Sequence, residues 1–235
     1  MPNINKQRGF SLVEIAIVLV IVGLMVGGLL TPLSMQLEQR KAADTQRALD
    51  EAREALIGFA VRYGYLPCPA VSASDGQEDR SGNRCTGERR DGYLPWATLG
   101  LPRLDAWNHL YRYSVTPAFA DSADRFKLVT ARDITVYTRD GLGNLAAATA
   151  PADIPAVILS HGKNGYGATS DAGRLLANSS RSNEDEQNNS GADIHFMARN
   201  PSENRALPGG EFDDMVVWVS PNILFNRMVA AQVLP

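Results

Sequence analysis

Three groups of residues in this chain have types and spacings that bear on chemistry. In the first, a glycine bond stands beside a lone acid. Gly9-Phe10 follows the basic residues Lys6 and Arg8, and Glu14 is the single charge between Phe10 and Leu33. A carboxylate in such apolar surroundings costs about 2.5–3.5 kcal/mol on a lenient membrane-insertion scale, so it calls for a partner. The second group is a pair of thiols, Cys68 and Cys85, the whole cysteine stock. The third is rich in oxygen: Asn164, then Glu184, Asp185, Glu186, Asn188 and Asn189, then Asp213 and Asp214. Carboxylate and amide oxygens are the donors that hard cations take, although the spacing is not that of an EF-hand. The competing reading is a solvated loop, with Asp213 and Asp214 capping a turn or pairing with Arg112 or Arg205.

No catalytic constellation stands out. There is no phosphate-binding loop, dinucleotide glycine fingerprint, His-Glu-x-x-His or Gly-x-Ser-x-Gly. His109, His161 and His195 are far apart in the chain. Ser160-His161 has the right residue types for nucleophilic work, but adjacency in sequence is not the geometry that work requires. No catalytic residue is assigned, and no enzyme activity is expected.

The elements that must position these residues follow from periodicity. From Phe10 the chain is apolar on all sides for about 24 residues, about 36 Å as a helix. That is enough to cross a hydrocarbon core, and the absence of a polar face favours a spanning or fully buried helix. Lys6 and Arg8 ahead of it place the N-terminus on the cytoplasmic side. Pro32 lacks a backbone donor and is expected to kink or loosen the helix. From Ser34 the pattern turns amphipathic: Leu49, Ala52, Leu56, Phe59 and Tyr63 form one stripe, and Gly64 is a natural stop.

Leu66–Arg103 is rich in Gly, Pro and Ser. It holds two similar anchors, Gly64-Tyr65-Leu66-Pro67 and Gly92-Tyr93-Leu94-Pro95, with the cysteines between them. In an oxidising compartment Cys68 and Cys85 are expected to pair, closing a loop worth about 3 kcal/mol. Zinc is the rival reading, but no histidine lies nearby. Strands are predicted at Tyr111–Thr116, Phe126–Thr130, Ile134–Thr138, Ala156–Ser160, Ile194–Ala198 and Met215–Ser220. A short closing helix or an irregular cover is expected over Asn222–Val233. The elements do not alternate in the rhythm of a parallel sheet. The fold class is therefore α+β, a long helix on an antiparallel sheet.

The net charge of -3 over 235 residues gives no global case for nucleic-acid binding. Arg80, Arg84, Arg89 and Arg90 cluster, but Glu78, Asp79, Glu88 and Asp91 cancel most of their charge. Nucleic acid is not expected as a partner.

The basic leader, Gly9-Phe10-Ser11-Leu12-Val13-Glu14 and the apolar run resemble the processing site of type IV prepilins and type II secretion pseudopilins. Asp105, Trp107, Asn108 and Tyr111 are similar to a stretch of the major pseudopilin, where a tight turn with a buried Trp107 leads into the first strand. Ala106, His109 and Leu110 depart from that pattern. Ser160-His161-Gly162-Lys163-Asn164-Gly165 resembles the segment before a pseudopilin calcium loop, which makes Asn164, Asp185, Asp213 and Asp214 calcium candidates. No cofactor is required otherwise.

The resemblance implies a leader over 1–9, cut by a prepilin peptidase between Gly9 and Phe10 with methylation of the Phe10 amine. It implies a membrane and filament-core helix over 10–33, an amphipathic continuation over 34–64 and a periplasmic head over 65–235. That head would carry the 68–85 disulfide loop and a polar loop over 162–193. Glu14 would meet the N-terminal amine of a neighbouring subunit. The expected course is single-pass insertion in the bacterial inner membrane, then assembly with other subunits on a membrane platform into a pilus or pseudopilus. Two alternatives remain: a minor tip subunit binding DNA, a surface or a secreted substrate, and an anchored periplasmic enzyme.

Overall fold

The computed structural model describes residues 11–177, 183–191 and 194–234, with the backbone alone for 26–32. Helix α1 runs from Leu12 to Tyr63 and continues through Pro32 without a break, against the expected loosening there. The chain divides into two compact units, 1–41 and 42–235, and α1 contributes to both.

In the first unit the side chains of Leu12, Val13, Ile17, Val18, Leu19, Val20 and Ile21 are all exposed, on every side of the helix. Among the described residues no helix is long and apolar enough to cross a membrane. The apolar run includes 26–32, whose side chains are not among those described.

In the second unit α1 meets the core through Leu49, Ala52, Leu56, Ile57 and Ala60. The expected stripe holds to Leu56 and then turns. Phe59 is half-buried and Tyr63 exposed, and the two cluster with Tyr65 in tilted and edge-on ring contacts at centroid distances of 4.5–6.2 Å. Ile57 and Ala60 fill the core in their place. The helix stops where expected. Gly64 adopts φ +85°, a left-handed conformation that side chains disfavour, and its N–H reaches the Ala60 carbonyl at 2.7 Å.

The head elements are β1 (Arg80–Ser81), β2 (Arg84–Cys85), β3 (Asp91–Tyr93), α2 (Trp96–Leu99), β4 (Arg112–Val115), β5 (Thr135–Arg139), β6 (Leu145–Ala147), β7 (Ala156–Ser160), α3 (Glu184–Ser190), β8 (His195–Met197), β9 (Met215–Trp218) and α4 (Pro221–Ala230). An antiparallel sheet runs β3-β4-β7-β9, a second sheet runs β6-β5-β8, and β1 pairs with β2. The fold is α+β, with one departure from the expected antiparallel order: β5 and β8 pair in parallel, Val136 opposite Phe196.

Strand β7 explains the layering. All five of its residues are buried. Ala156 and Ile158 join the core shared with α1, while Val157 and Leu159 join a second core with Ile134, Val136 and Phe196. A strand covered on both faces reads as an unbroken apolar run, as Ala156–Ser160 does. The layers of this unit are therefore helix, main sheet and small sheet.

Phe126–Thr130 is not a strand. Phe126 stacks on Phe119 at 4.5 Å. The chain then turns, with the Lys127 N–H donating to Thr130 Oγ1, a local bond that competes with a ladder. The tail forms a helix, with Leu224 and Met228 buried. Both glycine-tyrosine-leucine-proline anchors hold: Leu66 and Leu94 are in the core. The polar stretch before Asp193 is no mere solvated loop, because α3 lies within it with Asp185, Glu186 and Asn189 buried.

Candidate functional site

At the start of α1, Ser11 and Glu14 close a reciprocal cap. Glu14 Oε2 accepts the Ser11 N–H at 2.7 Å, and Ser11 Oγ accepts the Glu14 N–H at 3.2 Å. A helix start leaves its first amides without partners, and a serine followed three residues later by glutamate satisfies two of them. The same Glu14 is thus an N-terminal cap as well as the lone acid of the run. Gly9 and Phe10, the expected cleavage and methylation positions, lie outside the described residues.

Residues 4–30 match the family model described as the prokaryotic N-terminal methylation motif. This chain carries that motif. It is characteristic of type IV pilins and pseudopilins, which is the resemblance the leader and Glu14 carry. No curated protein and no solved structure matches the chain. The motif is pilin-like, then, and the head must be read from its own geometry.

Cys68 and Cys85 form a disulfide with a Cα–Cα distance of 5.3 Å. Both sulfurs sit in the core shared with α1. Around this loop, three of the four clustered arginines are engaged internally. Arg80 binds Glu78 and the Ala120 carbonyl, Arg84 binds Asp121, and Arg90 holds Asp133 through two bonds of 2.9 Å.

The turn before β4 is built on the buried Asp105. Its Oδ1 accepts the N–H groups of Trp107 and His109, and its Oδ2 accepts the Ser160 hydroxyl at 2.6 Å. His109 Nδ1 stands 3.6 Å from the same carboxylate, which raises the His109 pKa against the opposing effect of burial. Serine and imidazole share the acid here, whereas in a nucleophilic triad the imidazole stands between the other two. The turn matches expectation, but Trp107 is only half-buried, because Asp105 takes the interior place.

The calcium candidates divide. Asn164, Asp213 and Asp214 converge, but Asp185 does not join them. Its carboxylate is buried between Arg139 and Arg199, with bonds of 2.7–2.8 Å. Glu186, one residue on, turns into the cluster instead. Ligand oxygens of Glu186, Asp213 and Asp214 lie within 4.8 Å of one another. Asp213 and Asp214 do not pair with Arg112 or Arg205, which bind Asp91 and Glu211.

Neighbours hold the three acids in place. Glu186 accepts from Asn164 Nδ2, Asn183 Nδ2 and the Asp213 N–H. Asp213 Oδ2 accepts the Asn164 N–H at 2.8 Å, and Asp214 Oδ2 accepts Asn189 Nδ2 at 2.9 Å. Burial pushes the Asp213 carboxyl up to about 7 against the Asn164 hydrogen bond, and the charges of Glu186 and Asp214 add to the rise. Burial and Asp214 likewise raise Glu186. Burial and like charge oppose the ionisation of Asp213 and Glu186, and a bound cation would relieve both. His161 stands beside Asp214 rather than within the group of three: its Nδ1 is 3.4 Å from Asp214 Oδ1. The signal available was its position in Ser160-His161-Gly162, just ahead of the polar stretch.

Proposed function

We propose that this chain is a pilin-like or pseudopilin structural subunit that is cut between Gly9 and Phe10, methylated on Phe10 and assembled with related subunits through α1. The observation that carries the reading is the methylation motif over 4–30 with Glu14 as the lone acid of its apolar run. The exposed side chains from Leu12 to Met25 support it, since they find no core within their own unit. Helices with such surfaces bury them in lipid first and against one another later.

In this reading the positive leader stays in the cytoplasm, α1 is held in the inner membrane, and the disulfide-bonded head lies in the periplasm. Cutting frees the Phe10 amine about one turn from Glu14. The amine of one subunit then neutralises Glu14 of the next, removing the charge that opposes burial of the helix. The work is assembly rather than catalysis, and it requires no cofactor. Intact-mass measurement of the native protein tests it. The expected mass lacks residues 1–9 and carries one added methyl group. An uncut chain in cells with active prepilin peptidase would overturn the proposal.

A further inference from the structure

We propose that the cleft between β3 and the hairpin over 168–176 is a binding site for a small apolar carboxylate, with Arg89 as the cation that meets the acid. The cleft has a volume of about 230 Å³. A dry apolar cavity of about 150 Å³ takes one benzene ring. The space here therefore suits one aliphatic side chain together with its carboxylate, and not a nucleotide or an oligosaccharide.

Hydrogen bonds hold both walls open before any ligand arrives. On one side Ala70 and Tyr93 exchange backbone bonds of 2.9 and 2.8 Å, which keeps Val71 beside β3. On the other, the hairpin is closed by the Leu176 N–H on the Ala168 carbonyl at 2.8 Å and the Ser170 N–H on the Arg174 carbonyl at 2.9 Å. The hairpin is tied to the sheet by the Leu110 N–H on the Thr169 carbonyl at 2.9 Å and by the Tyr93 hydroxyl on Thr169 Oγ1 at 3.3 Å. A site whose walls are already fixed loses little ordering entropy on binding.

The lining is apolar at both walls. Val71 is 45% exposed on one and Leu175 is 66% exposed on the other, with Leu110 buried between the same elements. Single exposed apolar side chains are ordinary, but two that line one cleft give an aliphatic group a surface to bury against.

Charge selects the other half of the ligand. Asp91 and Arg112 line the cleft and pair with each other at 3.2 Å, and Arg112 also donates to the Ser190 and Gly191 carbonyls. His161 lines it too, faces Asp214 through Nδ1 and brings no negative charge. Arg89 is different. Its exposed side chain makes no hydrogen bond or ion pair with the described residues, unlike those of Arg80, Arg84 and Arg90. Two arginines against one aspartate leave a single positive charge unspent. A carboxylate matches it, and an arginine fork binds a carboxylate through two parallel hydrogen bonds. Nothing in this site depends on cutting at Gly9 or on assembly.

The test titrates the full 15N-labelled chain in detergent micelles with N-acetyl-leucine, hexanoate and the uncharged N-acetyl-leucinamide. Both acids should give saturable amide shifts at Tyr93, Thr169 and Leu175, and the uncharged amide should bind at least about tenfold more weakly. Arg89→Gln should remove that preference, and Leu175→Ser should weaken both acids by about tenfold. Both side chains are exposed, so the variants should fold. Tighter binding of acetyl-leucine points to a peptide end as the natural ligand and tighter binding of hexanoate to a free acid; either order supports the site. The proposal is overturned if the cleft amides show no saturable shift, if the shifts are confined to α1 and so mark partition into the micelle, if the amide binds as well as the acids, or if either variant behaves as wild type.

Discussion

Ser11 and Glu14 cap each other across the first turn of α1, with the carboxylate accepting the serine N–H at 2.7 Å and the serine hydroxyl accepting the glutamate N–H at 3.2 Å. One acid is thereby asked to do two things. It finishes the helix start in the single chain, and in the proposed filament it meets a neighbour's amine.

Substitution separates these roles. Glu14→Gln keeps an oxygen for the Ser11 N–H but loses the charge, whereas Glu14→Val loses both. Both variants should be cut normally, and both should fail to enter filaments if charge pairing drives assembly. Ser11→Ala should cost the helix start about 1 kcal/mol and leave assembly largely intact. Filament yield by sedimentation, with intact mass for processing, checks all three. Assembly of Glu14→Gln at the wild-type level would leave only the cap.

At the cut itself, Gly9→Val should hold the protein in its uncut form in the membrane, because a peptidase must approach that bond closely. A normal mature mass in this variant would place the site elsewhere.

In the head, Asp185 is the acid whose loss should hurt folding most. It is buried between Arg139 and Arg199, with side-chain exposures of 0, 17 and 10% respectively. Removing one member of a buried ionic group leaves the others unneutralised, at about 3–5 kcal/mol. Asp185→Asn should lower the denaturant midpoint accordingly. Its effect on cation binding should be small, since Asp185 stands outside the Glu186 cluster.

Asp133 should make the head acid-labile. Burial opposes its charge, but hydrogen bonds from Arg90 and Thr116, with the nearby Arg90 charge, outweigh that and hold its pKa below the usual carboxylate value. A folded pKa below the unfolded one stabilises above about pH 4, and the contribution is lost as pH falls through the folded value. The Asp133 side chain is 37% exposed, so solvent screening keeps the contribution to about 1 kcal/mol. Unfolding midpoints between pH 6 and pH 3 should fall for the wild type and fall less for Asp133→Asn.

Legibility differed between the two ends of the chain for a physical reason. The leader, Gly9-Phe10, Glu14 and the apolar run are local and ordered along the sequence, so residue types alone carry the motif. The stop at Gly64, the strand at Ala156–Ser160 and the Cys68–Cys85 pair were legible in the same way, through backbone preference, continuous burial and scarcity of thiols. The polar helix α3 was not. Its buried face is Asp185, Glu186 and Asn189, and a rule that looks for apolar stripes passes over a helix whose inner side is carboxylate and amide.

By itself, the order of residues determined the helix, the motif and the α+β class, because periodicity and propensity act over neighbouring positions. Only the tertiary structure decided which of two adjacent acids, Asp185 or Glu186, goes to the arginines and which to Asp213 and Asp214. It also decided that His161 faces Asp214. Those choices depend on how β7, β9 and α3 meet, and the strongest interactions of a buried charge are with groups distant in the chain.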